Sequence, residues 1–193
     1  MSNRLRQTPS QTLGPFFAYG LTARQYGYDF DQLADGRIAR DDTAGTRIQV
    51  TGQVFDGAGA LIEDAMVEVW QADADGRYPD AAAFADRTAF HGFGRCGTGA
   101  DPARRFVFDT IKPGGHDGQA PHLNVILTMR GLLLHLFTRI YFADEAAANE
   151  TDPVLALVPE ARRNTLIAPL VQPGLYRFDI RMQGDDETVF FDV

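Results

Sequence analysis

A short apolar stretch, residues 121–127, carries the side chains of this sequence that most resemble a metal-binding motif. Side chains at alternate positions of a strand point the same way, so His122 and Asn124 are predicted to share one face of a buried strand. Two imidazoles in this arrangement would be a common pair of metal ligands, but here one of the two is an amide. An amide is a poor ligand for a hard trivalent cation, which prefers anionic oxygens and imidazoles. The sequence therefore poses a choice between an altered metal site and a lost one.

Three further histidines could join His122 in a metal site. His135 lies within an apolar run and is interpreted as a structural residue. His91 and His116 flank glycine-rich breaks, where loops usually leave side chains in water. A site built from His91, His116 and His122 would suit zinc or copper, and it remains one of three hypotheses for this chain.

Arg130 differs from most charged residues here because it stands between apolar strand residues and Gly131. Its forked donors would suit an anionic group, and a surface arginine at a strand end is an equally good interpretation of the spacing. The sequence contains no glycine-rich phosphate loop and no nucleophile elbow, and its acidic clusters lack the spacing of a calcium loop. Phosphoryl transfer and thiol chemistry are therefore excluded.

Seven segments have the composition and alternation of strands, with turn residues between them. They are residues 47–54, 66–70, 105–110, 122–128, 136–142, 175–182 and 188–193. Their number and spacing predict an all-β fold with an antiparallel β-sandwich core. One insertion is predicted to be helical, because Asp152 and Pro153 supply an N-cap and a first-turn proline, and Pro159 divides it into two short turns.

The domain organisation is predicted to be an extended N-terminal arm, residues 1–45, followed by the sandwich domain, residues 46–193. The arm carries Phe16, Phe17 and several tyrosines between glycines and prolines. Aromatic side chains make poor solvent-exposed coil, so the arm is predicted to pack on another surface, which could be a partner chain.

Composition narrows the class of protein. The chain has 193 residues, 45% of them hydrophobic, which is enough for one domain with a real core. A net charge of -8 argues against sequence-independent nucleic-acid binding. The single Cys96, the lack of an apolar N-terminal leader and the lack of a long apolar run lead us to expect a soluble protein of the cytoplasm.

Several motifs, taken in order and spacing, resemble the intradiol ring-cleavage dioxygenases. They are WQA at 70–72, DGRY at 75–78, GFGRC at 92–96, FVFDTIKPG at 106–114, PH at 121–122 and LFTRIYF at 136–142. The similarity runs from Thr8 to Val193. It implies a β-sandwich core, in agreement with the strand pattern.

The resemblance implies a non-haem ferric iron held by two tyrosines and two histidines, and this sequence lacks three of the four ligands. Asn124 replaces the histidine that would follow His122. Glycine and histidine occupy 115–116, where the family places one tyrosine, and the stretch 79–91 lacks the other. The arginine expected before the histidine strand is Gln119. No metal ligand and no catalytic residue is therefore expected in this chain.

Such losses resemble the iron-free chain of the two-chain members of the family. The resemblance implies an iron-bearing β chain as partner, with Fe(III) in the β chain and not in this one, and a higher oligomer of such pairs. It also implies that the arm and one arginine reach the partner's substrate pocket. The substrate-binding residues implied are Thr12, Gly14, Pro15 and Arg130, with Arg139 as an alternative to Arg130.

The implied reaction belongs to the catabolism of aromatic compounds. Oxygen is inserted into 3,4-dihydroxybenzoate between its two hydroxylated carbons to give 3-carboxy-cis,cis-muconate, and ferric iron acts as the Lewis acid that binds the catecholate. This chain would serve as a non-catalytic subunit that completes the pocket. A free-standing, transthyretin-like β-sandwich binding module is the alternative that the strand pattern alone would allow.

Overall fold

A computed structural model describes residues 8–80, 83 and 90–192 of the chain, and its core is a sandwich of two five-stranded sheets. The ten strands of this part of the chain are β1 (Arg47–Phe55), β2 (Met66–Gln71), β3 (Phe93–Gly97), β4 (Arg105–Ile111), β5 (His122–Thr128), β6 (Leu136–Phe142), β7 (Ile167–Ala168), β8 (Leu170–Gln172), β9 (Leu175–Arg177) and β10 (Ile180–Arg181). The all-β sandwich expected from the sequence is confirmed.

The two sheets are mixed rather than purely antiparallel. In the first sheet, β1 pairs antiparallel with β4 on one side and parallel with β9 and β10 on the other, and β8 extends the sheet beyond β9. In the second sheet the order is β3-β2-β5-β6-β7, with a parallel pair only between β6 and β7. The β2-β5-β6 ladder is the part that positions the candidate site.

Alternating side chains of the facing sheets form one hydrophobic core. On β5, Leu123, Val125 and Leu127 are completely buried, so the residues between them lie on the outer face of the sheet. The opposing sheet contributes the buried side chains of Val50, Val54, Phe106, Phe108 and Ile180.

Three sequence segments differ from their predicted structure. Strand β3 was not predicted, because its glycines and arginine interrupt the apolar alternation, although Gly94 and Cys96 are buried. The predicted strand 175–182 divides into β9 and β10. Within the described part of 188–193, pairing is limited to an isolated bridge between Phe191 and Phe137.

The helical segments are short. They are α1 (Pro15–Leu21), α2 (Ala146–Thr151), α3 (Glu160–Arg163) and 3₁₀ turns at Ala23–Tyr26, Ala143–Glu145, Leu155–Leu157 and Asn164–Leu166. Pro159 separates the Leu155–Leu157 turn from α3, as predicted. Asp152 starts the insertion, because its fully buried Oδ1 accepts hydrogen bonds from the backbone N–H groups of Val154 (2.9 Å) and Leu155 (2.6 Å).

The N-terminal segment contacts the sandwich at some points and is uncovered at others. Ile38 lies in the sandwich core, and Gln25 exchanges hydrogen bonds with the backbone of Gly97. Helix α1, in contrast, buries none of its residues, and the Phe16 side chain is 88% exposed. None of the helices in the described ranges is long and apolar enough to cross a membrane.

Candidate functional site

The outer face of the β2-β5-β6 ladder brings the residues of the predicted metal strand together. Antiparallel register sets Asn124 between Trp70 on β2 and Arg139 on β6, and sets His122 opposite Tyr141. His122 and Asn124 share this face, because both side chains contact one phenol hydroxyl, that of Tyr78. The periodicity argument for this pair was therefore right, and the residue that joins them comes from a loop.

The Tyr78 hydroxyl forms a hydrogen bond with His122 Nε2, the ring nitrogen through which this histidine would bind a metal. The His122 Nδ1 lies 2.8 Å from the carbonyl oxygen of Ala120, which can only accept, so Nδ1 carries the ring proton and Nε2 is an acceptor. The Tyr78 hydroxyl lies 3.3 Å from His122 Nε2 and donates to it. The same hydroxyl accepts a hydrogen bond from Asn124 Nδ2 at 2.8 Å. The Tyr78 hydroxyl thus donates to the imidazole and accepts from the amide.

A tight loop fixes Tyr78 in this position. Asp73 Oδ1 accepts the backbone N–H groups of Asp75 and Arg77, which closes the turn before Tyr78. Gly76 has φ 81°, and a Cβ at this position would come within 1.9 Å of the carbonyl oxygen of Gly115. Only glycine fits both this conformation and the close approach, so the glycine of the DGRY motif is needed to form the loop that holds Tyr78.

Aromatic contacts hold the Tyr78 ring from two sides. The ring stacks on Trp70 at 6.0 Å between centroids, and His116 meets it edge-on at 5.0 Å. His116 Nδ1 also lies 2.8 Å from the carbonyl oxygen of Gly76. The expectation that His116 points into water is therefore wrong, because this half-buried ring supports Tyr78 instead.

Burial keeps this network in its neutral form. Desolvation lowers the pKa of His122 and raises the pKa of Tyr78, although the Asn124 hydrogen bond acts in the opposite direction on Tyr78. Next to them, desolvation raises the pKa of Tyr141 to about 12. Burial in this cluster thus favours the uncharged forms of the two phenols and of the imidazole.

Arg139 belongs to the same cluster. Its Nη1 donates to Gln119 Oε1 at 2.7 Å and to the Tyr141 hydroxyl at 3.2 Å. Tyr141 in turn donates to Asp152, whose other carboxylate oxygen accepts the Ala120 N–H. Gln119, which replaces the arginine expected from the resemblance, thus serves as an acceptor for an arginine on β6.

The residues present do not fit a ferric ion. His122 Nε2 contacts the Tyr78 hydroxyl, and the second position of the pair is an amide whose Nδ2 donates to the same hydroxyl. No three His, Cys, Asp or Glu side chains within residues 8–80, 83 and 90–192 come close enough to hold a metal ion. His91, His116 and His122 are thus not assembled into a site. The stretch 79–91 lies mostly outside the described residues, but its sequence contains no tyrosine.

The buried imidazole makes stability depend on pH. Because the pKa of His122 is lowered from 6.5 in the folded chain, the unfolded chain binds more protons just below that pH. The contribution of His122 to the free energy of unfolding is therefore fully present above pH 6.5, and it falls as the pH drops towards the folded-state pKa. We expect His122→Gln to reduce this slope by up to about 1.4 kcal/mol per pH unit, the limit for one proton.

Urea unfolding at a series of pH values measures this slope. His135→Gln, at an exposed position, is the matched control and should leave the slope unchanged. His91, whose pKa burial also lowers, should contribute to the slope that remains. Equal slopes in the wild type and in His122→Gln would contradict a buried, neutral His122.

A second group of predicted site residues meets at the opposite end of β5. Thr12 Oγ1 donates to the carbonyl oxygen of Met129 at 3.2 Å and accepts the N–H of Gly131 at 2.9 Å. Arg130 lies between these two residues, and its side chain is 71% exposed. Gly14 caps helix α1 and Pro15 is its first residue, so the four residues implied for substrate binding lie along one short path.

The two groups are far apart. At about 3.3 Å per residue, the seven residues of β5 separate His122 from Thr128 by about 20 Å. Arg130 therefore does not point into the Tyr78 network of its own chain, whereas Arg139 does.

Comparison with known proteins identifies the class. A family model described as "Dioxygenase" matches residues 25–184. The dioxygenase domain of a dioxygenase carbohydrate-binding protein fusion from Streptomyces sp. SirexAA-E has a similar structure, with a TM-score of 0.58 and 26% identity, over 77% of this chain and 86% of that one. The chain belongs to the intradiol ring-cleavage dioxygenase family.

Two relatives place the chain within the family. The protocatechuate 3,4-dioxygenase alpha chain of Burkholderia cepacia is 55% identical, over 98% of this chain and 98% of the relative. The protocatechuate 3,4-dioxygenase beta chain of the same species is 34% identical, over 81% of this chain and 72% of the relative. This chain is therefore more similar to the alpha chain than to the beta chain of that enzyme.

Proposed function

We propose that this chain is the alpha subunit of a protocatechuate 3,4-dioxygenase. The complex would use O₂ to cleave 3,4-dihydroxybenzoate to 3-carboxy-cis,cis-muconate, with both oxygen atoms entering the product. The observation that carries this proposal is the 55% identity to an alpha chain over nearly the whole of both chains. The alpha chain would be one half of an α/β pair, and such pairs would form a higher oligomer.

The catalytic Fe(III) of the complex would lie in the β chain. This assignment is supported by the chemistry of the Tyr78, His122 and Asn124 side chains, which satisfy one another as neutral donors and acceptors. Ferric iron prefers anionic oxygens and imidazoles, and this network offers neither in a free form. The work of this chain would then be to complete its partner's pocket and to build the interface.

The N-terminal arm is the part of the chain that we expect to contact the β chain. Helix α1 is only seven residues long and buries none of them, and isolated helices of this length are not stable in water. Phe16 and Phe17 on this helix are 88% and 52% exposed. An apolar surface of a partner would explain both the helix and its uncovered aromatic side chains.

The substrate pocket of the β chain would receive Thr12, Gly14, Pro15 and Arg130 from this chain. Arg130 suits the carboxylate of 3,4-dihydroxybenzoate because a guanidinium binds a carboxylate through two parallel hydrogen bonds. The Arg130 side chain is exposed and pairs with Asp64 through Nε, whereas Arg139 is half-buried and donates from Nη1 to both Gln119 and Tyr141. Arg130 is therefore the better candidate of the two arginines.

Purification of the chain alone and together with its β chain tests the proposal. We expect the two chains to purify as one complex. We expect this complex to consume oxygen with 3,4-dihydroxybenzoate, and we expect the isolated alpha chain to consume none. Turnover by the isolated alpha chain would overturn the proposal. A stable monomer without affinity for the β chain would favour the free-standing binding module.

A further inference from the structure

Arg130 sits in a turn whose shape is set by the register of the second sheet. β2 and β5 are antiparallel, with Met66 opposite Thr128, so continuing the register beyond the strands sets Asp64 opposite Arg130. The Met129 carbonyl oxygen accepts the Leu132 N–H at 3.3 Å, which closes a turn with Arg130 at its second position. Gly131 follows with φ 95°, the left-handed conformation that a type II turn requires at its third position.

Thr12 clamps the backbone of this turn. Its hydroxyl donates to the residue before Arg130 and accepts from the residue after it, across 117 and 119 positions of sequence. A hydroxyl has one proton, and Thr12 gives it to Met129. This side chain therefore serves the turn, and it has no donor left for a substrate oxygen.

Asp64 clamps the guanidinium. Its side chain is 16% exposed, and its Oδ2 lies 3.1 Å from Arg130 Nε. This oxygen is buried, and no hydrogen bond from the described residues reaches it. The positive charge of Arg130 therefore offsets part of the cost of burying it. Because this ion pair is formed at Nε, the two Nη groups of the exposed guanidinium remain for a carboxylate, which they can bind bidentately.

We propose that Thr12 and Asp64 are positioning residues that hold Arg130 ready for the substrate carboxylate in the assembled enzyme. This inference rests on the proposed function. Thr12 fixes the backbone from which Arg130 extends, and Asp64 fixes the end of its long side chain. A free arginine would lose rotamer entropy on binding substrate, and one that is already held loses less.

Asp64 could affect substrate binding in two opposite ways, by orienting Arg130 or by repelling the substrate carboxylate, and the sign of the change in KM tells them apart. A substrate carboxylate bound by the Nη groups would carry a second negative charge near Asp64, and the two charges would repel each other. If orientation dominates, Asp64→Asn raises the KM for 3,4-dihydroxybenzoate. If repulsion dominates, the same substitution lowers it, and the proposal is overturned.

The test uses the complex of this chain with its β chain. We expect Thr12→Val to raise the KM for 3,4-dihydroxybenzoate by about fivefold, as for the loss of one hydrogen bond. We expect Asp64→Asn to raise it by up to about fivefold, as for the loss of one partly exposed ion pair, and kcat to stay nearly unchanged in both. Thr12→Ser keeps the hydroxyl and should restore the wild-type KM. Glu63→Gln is the matched control, because Glu63 adjoins Asp64 but pairs with Arg104 at 3.3 Å.

Two further measurements separate positioning from a merely structural role. A catechol without the carboxylate should show the same KM in Asp64→Asn as in the wild type. In an Arg130→Ala background, Asp64→Asn should cause no additional rise in KM, because the group that it positions has gone. An additional rise would overturn the inference.

The outcome also distinguishes this inference from the proposed function. If Arg130→Ala raises the KM but Asp64→Asn and Thr12→Val leave it unchanged, the positioning role fails and the substrate role of Arg130 stands. If Arg130→Ala itself leaves the KM unchanged, the assignment of Arg130 to the substrate pocket fails, and the positioning role fails with it.

Discussion

Arg130→Ala in the assembled complex is expected to raise the KM for 3,4-dihydroxybenzoate by about tenfold to a hundredfold, the range for hydrogen bonds to a charged group. The substitution removes the exposed guanidinium that would bind the carboxylate of the substrate. The substitution is remote from His122, because β5 separates His122 from Thr128 by about 20 Å. Because the iron would be held by residues of the β chain, which the substitution leaves unchanged, the iron spectrum and kcat of the complex should remain close to those of the wild type.

Steady-state kinetics with two substrates measures this effect. The KM should rise for 3,4-dihydroxybenzoate and should not change for a catechol without the carboxylate, because only the first offers an anion to Arg130. Arg130→Lys keeps the charge but loses the fork, so its KM should fall between those of the wild type and Arg130→Ala. A rise caused by Arg139→Ala together with no change in Arg130→Ala would assign the carboxylate to the other arginine.

The strands that the sequence predicted well are those with apolar alternation. β1 and β5 have buried side chains at every second position, and each was predicted with nearly its observed bounds. β3 was missed because the burial of Gly94 and Cys96 depends on close packing, with Ile38 only 2.5 Å from where a Gly94 Cβ would lie. Such packing involves residues distant in sequence, so a local pattern does not reveal it.

The candidate site shows the same division between local and distant information. The shared face of His122 and Asn124 follows from the period of a strand and was predicted. The capping of His122 by Tyr78 was not, because the DGRY loop is 44 positions away and identified Tyr78 only as a family position. The contact of Thr12 with the Arg130 turn spans more than a hundred positions, and no signal in the sequence indicates it.

We expect this chain to bind no catalytic iron, and we expect that removing the Tyr78 hydroxyl will not change this. Binding a metal at His122 would require breaking its contact with Tyr78, and the neighbouring ligand position is an amide. Tyr78→Phe would free Nε2 but would supply no anionic oxygen, so this variant should bind no more iron than the wild type. Iron retained by Tyr78→Phe alone would mean that the hydroxyl blocks an otherwise functional site.

The iron content of the α/β complex tests the central claim most directly. We expect one iron per α/β pair, and we expect the isolated alpha chain, after incubation with iron and gel filtration, to retain none and to show no visible tyrosinate-to-iron absorbance. Two irons per pair, or stoichiometric iron in the isolated alpha chain, would contradict the account of this chain as the subunit that completes its neighbour's active site.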